Sequence, residues 1–385
     1  EHAREFIKKG DRVKVTVVFR GREMAHQEFG RQLLAQAKKD LSDISNIDIE
    51  ARLEGKRMTS VFMPMSQKQI CLMFILLAFV LAPVGGSAAE RLVGIHSARV
   101  LSQSVPWIAR EAGLLQKYNL DFQLVFIASS PAVTAAMLGG DAEIALTGGE
   151  GNIRAYVQGA TDFVFIGAVK NVLTHSILAG PDIKRPEDLK GKKIGINRIG
   201  SNPHFFAVQA LRQKGLDPTK DVQFIQSGGS PETLAALVSG SLDAASLNPP
   251  ADTQAISQGF HYVIYGPDQR VPYVATAFVT LRPVLAKRTQ VAGQFMRAMA
   301  EAAKIIHTDK EFTYKVLGKY LRVTDRKVLD SSYNTEIKAV EPRLEIRPEG
   351  IQGILDEVAK VDPRARKVKP EELIDRRFLE EMDKS

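Results

Sequence analysis

Residues 130–145 read S-P-A-V-T-A-A-M-L-G-G-D-A-E-I-A, and residues 230–245 read S-P-E-T-L-A-A-L-V-S-G-S-L-D-A-A. Ser130/Ser230, Pro131/Pro231, Ala135/Ala235, Ala136/Ala236, Gly140/Gly240, Glu143/Asp243 and Ala145/Ala245 match at one constant offset, without a gap. Serine before proline reads as an N-cap followed by a first-turn proline. The alanine-rich run after it is a short helix, stopped at Gly139-Gly140 in one copy and Gly240 in the other. Strands follow at 143–147 and 243–247. Upstream, Gly94-Ile95 and Gly195-Ile196 each open a strand-loop-helix-strand passage. The pattern predicts one β-α-β-α-β unit used twice, and so two similar lobes. Two unrelated alanine-rich helices are the alternative, but the shared positions fall on caps, stops and strand in register.

The region around the repeat alternates strand and helix. Further strands are expected at 92–97, 121–127, 163–169, 193–197, 222–226 and 262–265. Helices are expected at 131–138, 203–214, 231–239 and 250–258. Residues 174–179 read as a strand crossing between lobes, and 273–280 as a strand returning to the first. Such alternation predicts largely parallel sheets. After residue 283 the chain is mainly helical. The lobes are expected at 90–177 plus 274–385 and at 178–273.

The 385 residues carry a net charge of +8 and are 44% hydrophobic, which suits two or three globular domains. The charge is spread along the chain, so it reads as solubility and permits an anionic partner without requiring one. A lone cysteine, Cys71, excludes a disulfide framework and a thiolate metal site. No G-x-S-x-G, P-loop, H-E-x-x-H or complete G-x-G-x-x-G occurs, and Gly149-Glu150-Gly151 is only a fragment of the last. The histidines form no ligand-spaced pair, and His96, His175 and His204 read as turn or core residues. No cofactor, metal or catalytic set is expected.

Residues 1–64 form a separate basic α/β segment. Residues 12–19 read R-V-K-V-T-V-V-F, with Val13, Val15 and Val17 on one face of a strand and Arg12, Lys14 and Thr16 on the other. A helix over 23–40 is expected to turn Met24, Phe29, Leu33, Leu34 and Ala37 inward. Strands at 48–53 and 56–63 flank Glu54-Gly55. The stretches G-D-R-V-K-V-T-V-V-F-R-G-R-E-M-A-H at 10–26, G-R-Q-L-L at 30–34 and L-E-G-K-R-M at 53–58 resemble the C-terminal domain of bacterial translation initiation factor three. The resemblance implies a truncated β-α-β-α-β-β fold whose first strand is missing. It also implies binding to small-subunit ribosomal RNA, with Arg12, Lys14, Arg20, Arg22, Lys56 and Arg57 as phosphate contacts. A solvated basic face is the alternative reading of the same charges.

Residues 65–89 follow with a different composition. Met65-Ser66-Gln67-Lys68-Gln69 carries one positive charge, 70–84 is almost wholly apolar, and Gly85-Gly86-Ser87-Ala88-Ala89 is a run of small residues. That is the three-part pattern of a secretory signal peptide. The run is shorter than the ~20 apolar residues of a spanning helix, and Pro83 and the glycines interrupt it. An uncleaved anchor or a buried core helix are the alternatives. Cys71 reads as a small apolar filler. An export signal normally begins a chain, and a ribosome-binding domain works in the cytoplasm. The order is explained if Met63 or Met65 starts an exported protein and the upstream residues are the tail of a neighbouring frame. A true fusion is the alternative.

The exported region is similar to the periplasmic substrate-binding proteins of ABC transporters for nitrate, sulfonates, taurine and pyrimidine precursors. The residues that carry this are R-E-A-G-L-L-Q-K-Y at 110–118, S-S-P-A-V-T-A-A at 129–136, 144–149, E-D-L-K-G-K-K-I-G at 187–195, G-G-S-P-E-T-L-A-A-L at 228–237, N-P-P at 248–250 and V-P-Y at 271–273. The resemblance implies an α/β, two-lobed periplasmic-binding-protein-like fold of type II, with a hinge of two crossing strands. It implies a monomer that hands a small anionic or heterocyclic ligand to a membrane permease.

Parallel sheets place their sites beyond the carboxyl ends of strands, and helix N-termini there offer free N–H groups. The ligand-binding candidates are Gln103, Ser104, Ser129, Ser130, Thr147, Gly148, Asn171, Ser201, Asn202, Gly229, Ser230, Asn248 and Tyr273. Trp107 is a further aromatic in reach, equally readable as packing.

Three functions compete: a non-enzymatic solute-binding protein in the periplasm, a ribosome-binding initiation-factor segment in the cytoplasm, and an enzyme on the same two-lobed fold. Ser87 and Ala89 stand third and first before Glu90, so exported protein is expected to begin at Glu90. N-terminal sequencing that finds a start upstream of residue 80 would rule the cut out.

Overall fold

A computed structural model of the chain describes residues 2–65, 89–269 and 271–383, apart from the side chains of Arg22 and Ala25. The expected export signal at 65–89, with Cys71, lies almost wholly outside the described residues. Among the described residues no helix is long and apolar enough to cross a membrane. The chain forms two compact units, Glu1–Gly86 and Ser87–Ser385.

The first unit is a three-stranded antiparallel sheet of order β1-β3-β2, from β1 (Val13–Val18), β2 (Ser45–Glu54) and β3 (Arg57–Pro64). Val13, Val15 and Val17 face inward, while Lys14, Thr16 and Val18 face out, as period-two alternation requires. Helices His2–Lys8 and Gln27–Leu41 cover the inner face, burying Ile7, Leu34, Leu41, Met58 and Phe62. The expected inward face of the second helix is wrong by part of a turn. Phe29 and Leu33 are 60% and 61% exposed. Gly30, Leu34 and Leu41 face the sheet instead. A Cβ at Gly30 would overlap the Phe19 ring, so the bare glycine lets the helix dock closely along that stripe.

The second unit holds two five-stranded sheets. The first has the order β5-β4-β6-β13-β7 and the second β10-β9-β11-β8-β12. Their strands are β4 (Glu90–His96), β5 (Leu120–Phe126), β6 (Ile144–Thr147), β7 (Phe163–Val172), β8 (Ser176–Ala179), β9 (Lys192–Ile196), β10 (Val222–Gln226), β11 (Ala244–Leu247), β12 (His261–Ile264) and β13 (Pro272–Leu281). The repeat is real in three dimensions: β5-β4-β6 and β10-β9-β11 are matching parallel triplets. The matched acids do the same work in both. Glu143 donates its N–H to Val93 O and accepts the Val93 N–H on its carboxylate; Asp243 does so with Lys193.

The sheets are only half parallel. In each, the two remaining pairings are antiparallel, because β13 enters beside β6 and β8 beside β11. Both strands arrive from the other lobe and run against their neighbours. The chain crosses between lobes twice, between Val172 and Ser176 and between Ile264 and Pro272. The first crossing strand is therefore shorter than expected, since 173–175 make the passage itself. Its Leu173, Thr174 and His175 are all buried.

Ser130 and Ser230 are not caps. The residues before helices Ser130–Gly139 and Ser230–Val238 are Ser129 and Gly229, and no side chain caps either helix. The non-helical turn that a cap occupies falls one residue earlier, so each serine is already inside the helix. The prolines remain in the first turn, where their fixed φ suits the helix.

The helix Arg326–Glu336 joins the lobes. Ser331 Oγ lies 2.8 Å from Thr253 Oγ1 of helix Ala251–Ser257 in the second lobe. At that joint Asp252 is buried, accepting from Thr253 N–H at 2.5 Å and from Tyr262 OH at 3.1 Å. Burial pushes its carboxyl up to about 6. The folded chain thus keeps a proton that the unfolded chain has released, between about pH 4 and 6. Its contribution is full below about pH 4 and is lost as pH rises through 6. Asp252→Asn is expected to raise the pH 7.5 melting midpoint, by the equivalent of roughly 3 kcal/mol at most. Relative to the variant, the wild type should lose stability between about pH 4 and 6. Stability curves that run parallel across that range would count against this account.

Candidate functional site

Three helix starts converge between the two sheets, at Ser129-Ser130, Ser201-Asn202 and Gly229-Ser230. They open helices of 10, 12 and 9 residues. Between the first two and Ser230 lies a small chamber of about 30 Å³. Ser97, Asn197, Ser230 and Asn248 are shared with an outer cavity of about 490 Å³, walled also by Arg99, Phe126, Glu232 and Leu321. First-turn N–H groups lack intrahelical partners and carry partial positive charge. The chamber is therefore ringed with backbone donors from both lobes.

Ser129 is the unusual residue of this ring. Its backbone has φ 76° and ψ 142°, a region open to glycine and rarely used by other residues. Its N–H donates to Ser97 O, as the N–H of Gly228 donates to Asn197 O in the second copy. In the second copy the positive φ falls one residue earlier, at Gly228 (φ +99°), while Gly229, the counterpart of Ser129 at the constant offset, is extended at φ −120°. The Ser129 hydroxyl is buried and has no partner among the described residues.

Lys170 on the chamber wall belongs to a buried ion pair, with Glu336 behind it. Lys170, near the end of β7, and Glu336, at the end of helix Arg326–Glu336, have side chains 2% and 0% exposed. Lys170 Nζ donates to Glu336 Oε1 and, at 3.1 Å, to Thr174 Oγ1. Glu336 also accepts from Thr174 at 3.1 Å, from Ser102 N–H at 3.0 Å and from Asn248 Nδ2 at 3.5 Å. His175 lies on the same wall, and burial drops its imidazole to about 3. It is neutral at pH 7, with Nδ1 unpartnered among the described residues. Asn202 donates from Nδ2 to Ala275 O at 2.7 Å, which leaves Oδ1 without a partner. Asn197 Oδ1 is likewise unpartnered.

Of the residues expected at the site, Gln103, Ser129, Ser130, Ser201, Asn202, Ser230 and Asn248 line the chamber, and Gly229 lines the outer cavity. Gln103 is already spent there. Its Oε1 accepts from Ser97 and Ala98 N–H groups and its Nε2 donates to Ser97 Oγ, so it builds the loop. Ser201 closes its own loop through Arg198. Gly148 sits behind the wall, where a Cβ would collide with the Asn202 side chain and approach Ser130 Oγ at 2.9 Å.

Ser104 and Thr147 are buried outside the chamber lining, with unpartnered hydroxyls. Asn171 is taken up by the C-terminal segment, through Glu341, Glu345 and Arg347. Tyr273 is fully buried against Phe205, its hydroxyl accepting the Glu150 N–H at 3.3 Å. Trp107 stacks on Tyr320 at a separate shallow cleft.

Sequence reasoning missed Lys170, His175 and Glu336. A lone lysine in the apolar run F-V-F-I-G-A-V-K-N-V at 163–172 was the one readable signal. A groove of about 440 Å³ elsewhere on the first lobe, beside Tyr118, Arg297 and Glu380, holds two ion pairs in its lining, Arg343–Asp383 and Arg376–Glu345. Burial lowers His96 and His204 to about 4 each. Among the described residues no cluster of three His, Cys, Asp or Glu side chains is arranged to hold a metal ion.

In the first unit, Lys14 and Arg57 are exposed on the outer sheet face, flanking a Thr16–Thr59 hydroxyl contact of 3.1 Å. Arg52, which was not expected there, shares that face in register with Thr59. Arg12 is engaged by Asp48 at 2.7 Å. Arg20 and Lys56 are exposed at the turns, and the Arg22 side chain is outside the described atoms.

Residues 1–65 match the family model "Translation initiation factor IF-3, C-terminal domain". IF-3 of Hyphomonas neptunium is 51% identical over 59 residues, 15% of this chain and 33% of that protein. The chain therefore spans about a third of the length of the curated relatives it matches. In structure, the second unit is similar to the alkanesulfonate-binding protein SsuA of Xanthomonas axonopodis pv. citri, solved with MOPS (TM-score 0.62, 18% identity, 75% of this chain and 98% of that one). It is also similar to the periplasmic aliphatic sulphonate-binding protein SsuA of Escherichia coli (TM-score 0.58, 23% identity, 74% and 98%). The desulfurization enzyme DszB shares the fold too (TM-score 0.60, 12% identity, 77% and 99%). These likenesses establish the periplasmic-binding-protein-like fold. The NMT1/THI5-like family model matches residues 105–311, more than half of the chain, so the chain belongs to that family, with a segment similar to the IF-3 C-terminal domain ahead of it.

Proposed function

We propose that residues 90–385 are the solute-binding component of an ABC importer, exported to the periplasm, that clamps a small polar ligand between lobes 90–177 plus 274–385 and 178–273. The ligand is released unchanged to a membrane permease. The observation that carries this reading is Ser129. A serine held at φ 76° costs on the order of 1–3 kcal/mol, and its hydroxyl has no partner among the described residues. Such a cost persists where the hydroxyl serves something outside the fold. The sulfonate-binding proteins that share the fold are named for solutes, which supports the same reading. Ser129, Ser130, Asn202, Ser230 and Asn248 are the proposed ligand contacts.

The test uses the small molecule that the full-length protein carries on purification, identified by mass spectrometry and titrated back. Ser129→Gly is expected to stabilise the fold by about 1 kcal/mol and to weaken binding at least about tenfold. Ser129→Ala should weaken binding without the gain in stability. Wild-type affinity in both variants would sink the assignment, and conversion of the molecule during incubation would favour an enzyme.

A second reading concerns residues 1–64. Exposed Lys14, Arg52 and Arg57 on one sheet face suit phosphate contacts, as in the factor they match. We propose that this face holds ribosomal RNA when the segment is in the cytoplasm. Lys14→Ala/Arg57→Ala in the full chain should lower co-sedimentation with small ribosomal subunits and flatten its salt dependence by about two charges. Unchanged co-sedimentation would exclude that face.

A further inference from the structure

Resting on the solute-binding reading, we propose that the outer cavity takes an uncharged ligand whose N–H or O–H donors reach into the small inner chamber, and that Glu336 is the residue that turns anions away. Lys170 is the one cationic side chain on the described chamber wall, and it is already committed. Two of its three N–H donors are held by Glu336 and Thr174, and its charge is paired with the Glu336 carboxylate. Both Glu336 oxygens are engaged as well, Oε1 by Lys170, Thr174 and Asn248, and Oε2 by the Ser102 N–H. An anion entering the chamber would find there only a lysine already paired with a carboxylate, since Arg99 lines the outer cavity and not the chamber. It would also lie beside a buried carboxylate, and a buried charge without a partner is strongly disfavoured. His175 cannot supply the missing cation, because burial keeps it neutral.

The unsatisfied groups point the same way. Asn197 Oδ1 is a carbonyl oxygen, which accepts hydrogen bonds and cannot donate them, whereas Asn202 Oδ1 turns toward Gly148 behind the wall. The Asn202 orientation is set by its Nδ2 bond to Ala275 O. Ser129 Oγ can donate or accept. The helix starts then serve the ligand's own acceptor atoms through backbone N–H groups. A compact molecule carrying an amide, ureide, amino or hydroxyl group fits this set, and a free sulfonate or carboxylate does not.

Ethanesulfonamide and ethanesulfonate separate the two cases, since they have nearly the same shape and differ in charge and in N–H donors. Calorimetric titration into the full-length protein is expected to show the sulfonamide binding at least about tenfold more tightly. Glu336→Gln frees Lys170 and should raise ethanesulfonate affinity about tenfold or more, with no matching gain for the sulfonamide. The double variant Lys170→Met/Glu336→Leu removes both charges and should keep the wild-type preference, which covers the case of a single variant that fails to fold. Wild-type protein that binds ethanesulfonate as well as or better than the sulfonamide overturns the proposal while leaving a solute site in the cleft. So does a co-purified molecule that is an anion at pH 7. If neither probe binds and Ser129→Gly leaves the co-purified molecule's affinity unchanged, the solute-binding reading itself fails, and this inference with it.

Discussion

Glu143 and Asp243 each grip the neighbouring strand twice, by backbone N–H to a carbonyl and by carboxylate to an N–H. Each grip fixes the register of a parallel triplet, and a one-residue slip there would turn every side chain to the wrong face. Gly94 and Gly195 sit in the same strands, and a Cβ on either would strike the Phe122 ring or the Leu242 side chain. Close approach and clip together leave the triplets one arrangement. Once they are set, every following helix must begin at the carboxyl end of its strand. The helix starts at Ser130, Asn202 and Ser230 are consequences of that, and so is the ring of backbone donors they form.

Features encoded within about fifteen residues were readable from the chain. The serine–proline helix starts, the glycine stops and the alternation in β1 all depend on neighbours in sequence, and the structure keeps them to within a residue or two. The cap positions moved because a cap is a backbone conformation, and the S-P dipeptide does not say which side of the first turn it occupies. The half-antiparallel sheets were less accessible, since β13 and β8 arrive from the opposite lobe and no local pattern records their direction. Phe29 and Leu33 were assigned inward on composition, whereas the tight contact of Gly30 with Phe19 decided the face. At the site, the small residues were found because helix starts are local signals. Lys170 and Glu336 lie 166 positions apart, and nothing in either neighbourhood announces the other. Tyr273 and Asn171 carry groups that suit a ligand, but the fold uses them for its own hydrogen bonds.

The buried pair invites an energetic comparison. Helix starts stabilise a nearby anion by about 0.3–1 kcal/mol each at exposed sites, and by up to ~2 kcal/mol when partly buried. Three of them together supply a few kcal/mol. Taking a carboxylate-sized ion out of water costs several kcal/mol even after relaxation. A chamber with a free lysine would tip that balance toward anions. With Lys170 bound by Glu336 the terms nearly cancel, and the donors and acceptors of the ligand decide. A buried ion pair is weak evidence for stability, because replacing both partners by apolar groups is often neutral. Its position is the informative part: Glu336 reaches Lys170, Ser102 and, in the other lobe, Asn248, so the charge balance of the chamber is tied to the way the lobes meet.

The two copies of the repeat diverge where function would need them to. At equivalent turns, the N–H groups of Ser129 and Gly228 donate to the strand-end carbonyls of Ser97 and Asn197. Glycine at that turn relieves a positive φ and contributes no side chain. Serine accepts the strain and brings a hydroxyl to the chamber wall. Duplication alone would have given both lobes the same residue, and stability alone would have favoured glycine in both. The asymmetry therefore marks the first lobe's turn as the one whose chemistry is used, while the second lobe contributes chiefly backbone N–H groups and the Asn248 amide. Under the proposed solute-binding role, a ligand spanning both walls would meet hydroxyls on one side and amides on the other, and would favour the closed arrangement by the contacts it makes only when the lobes are together.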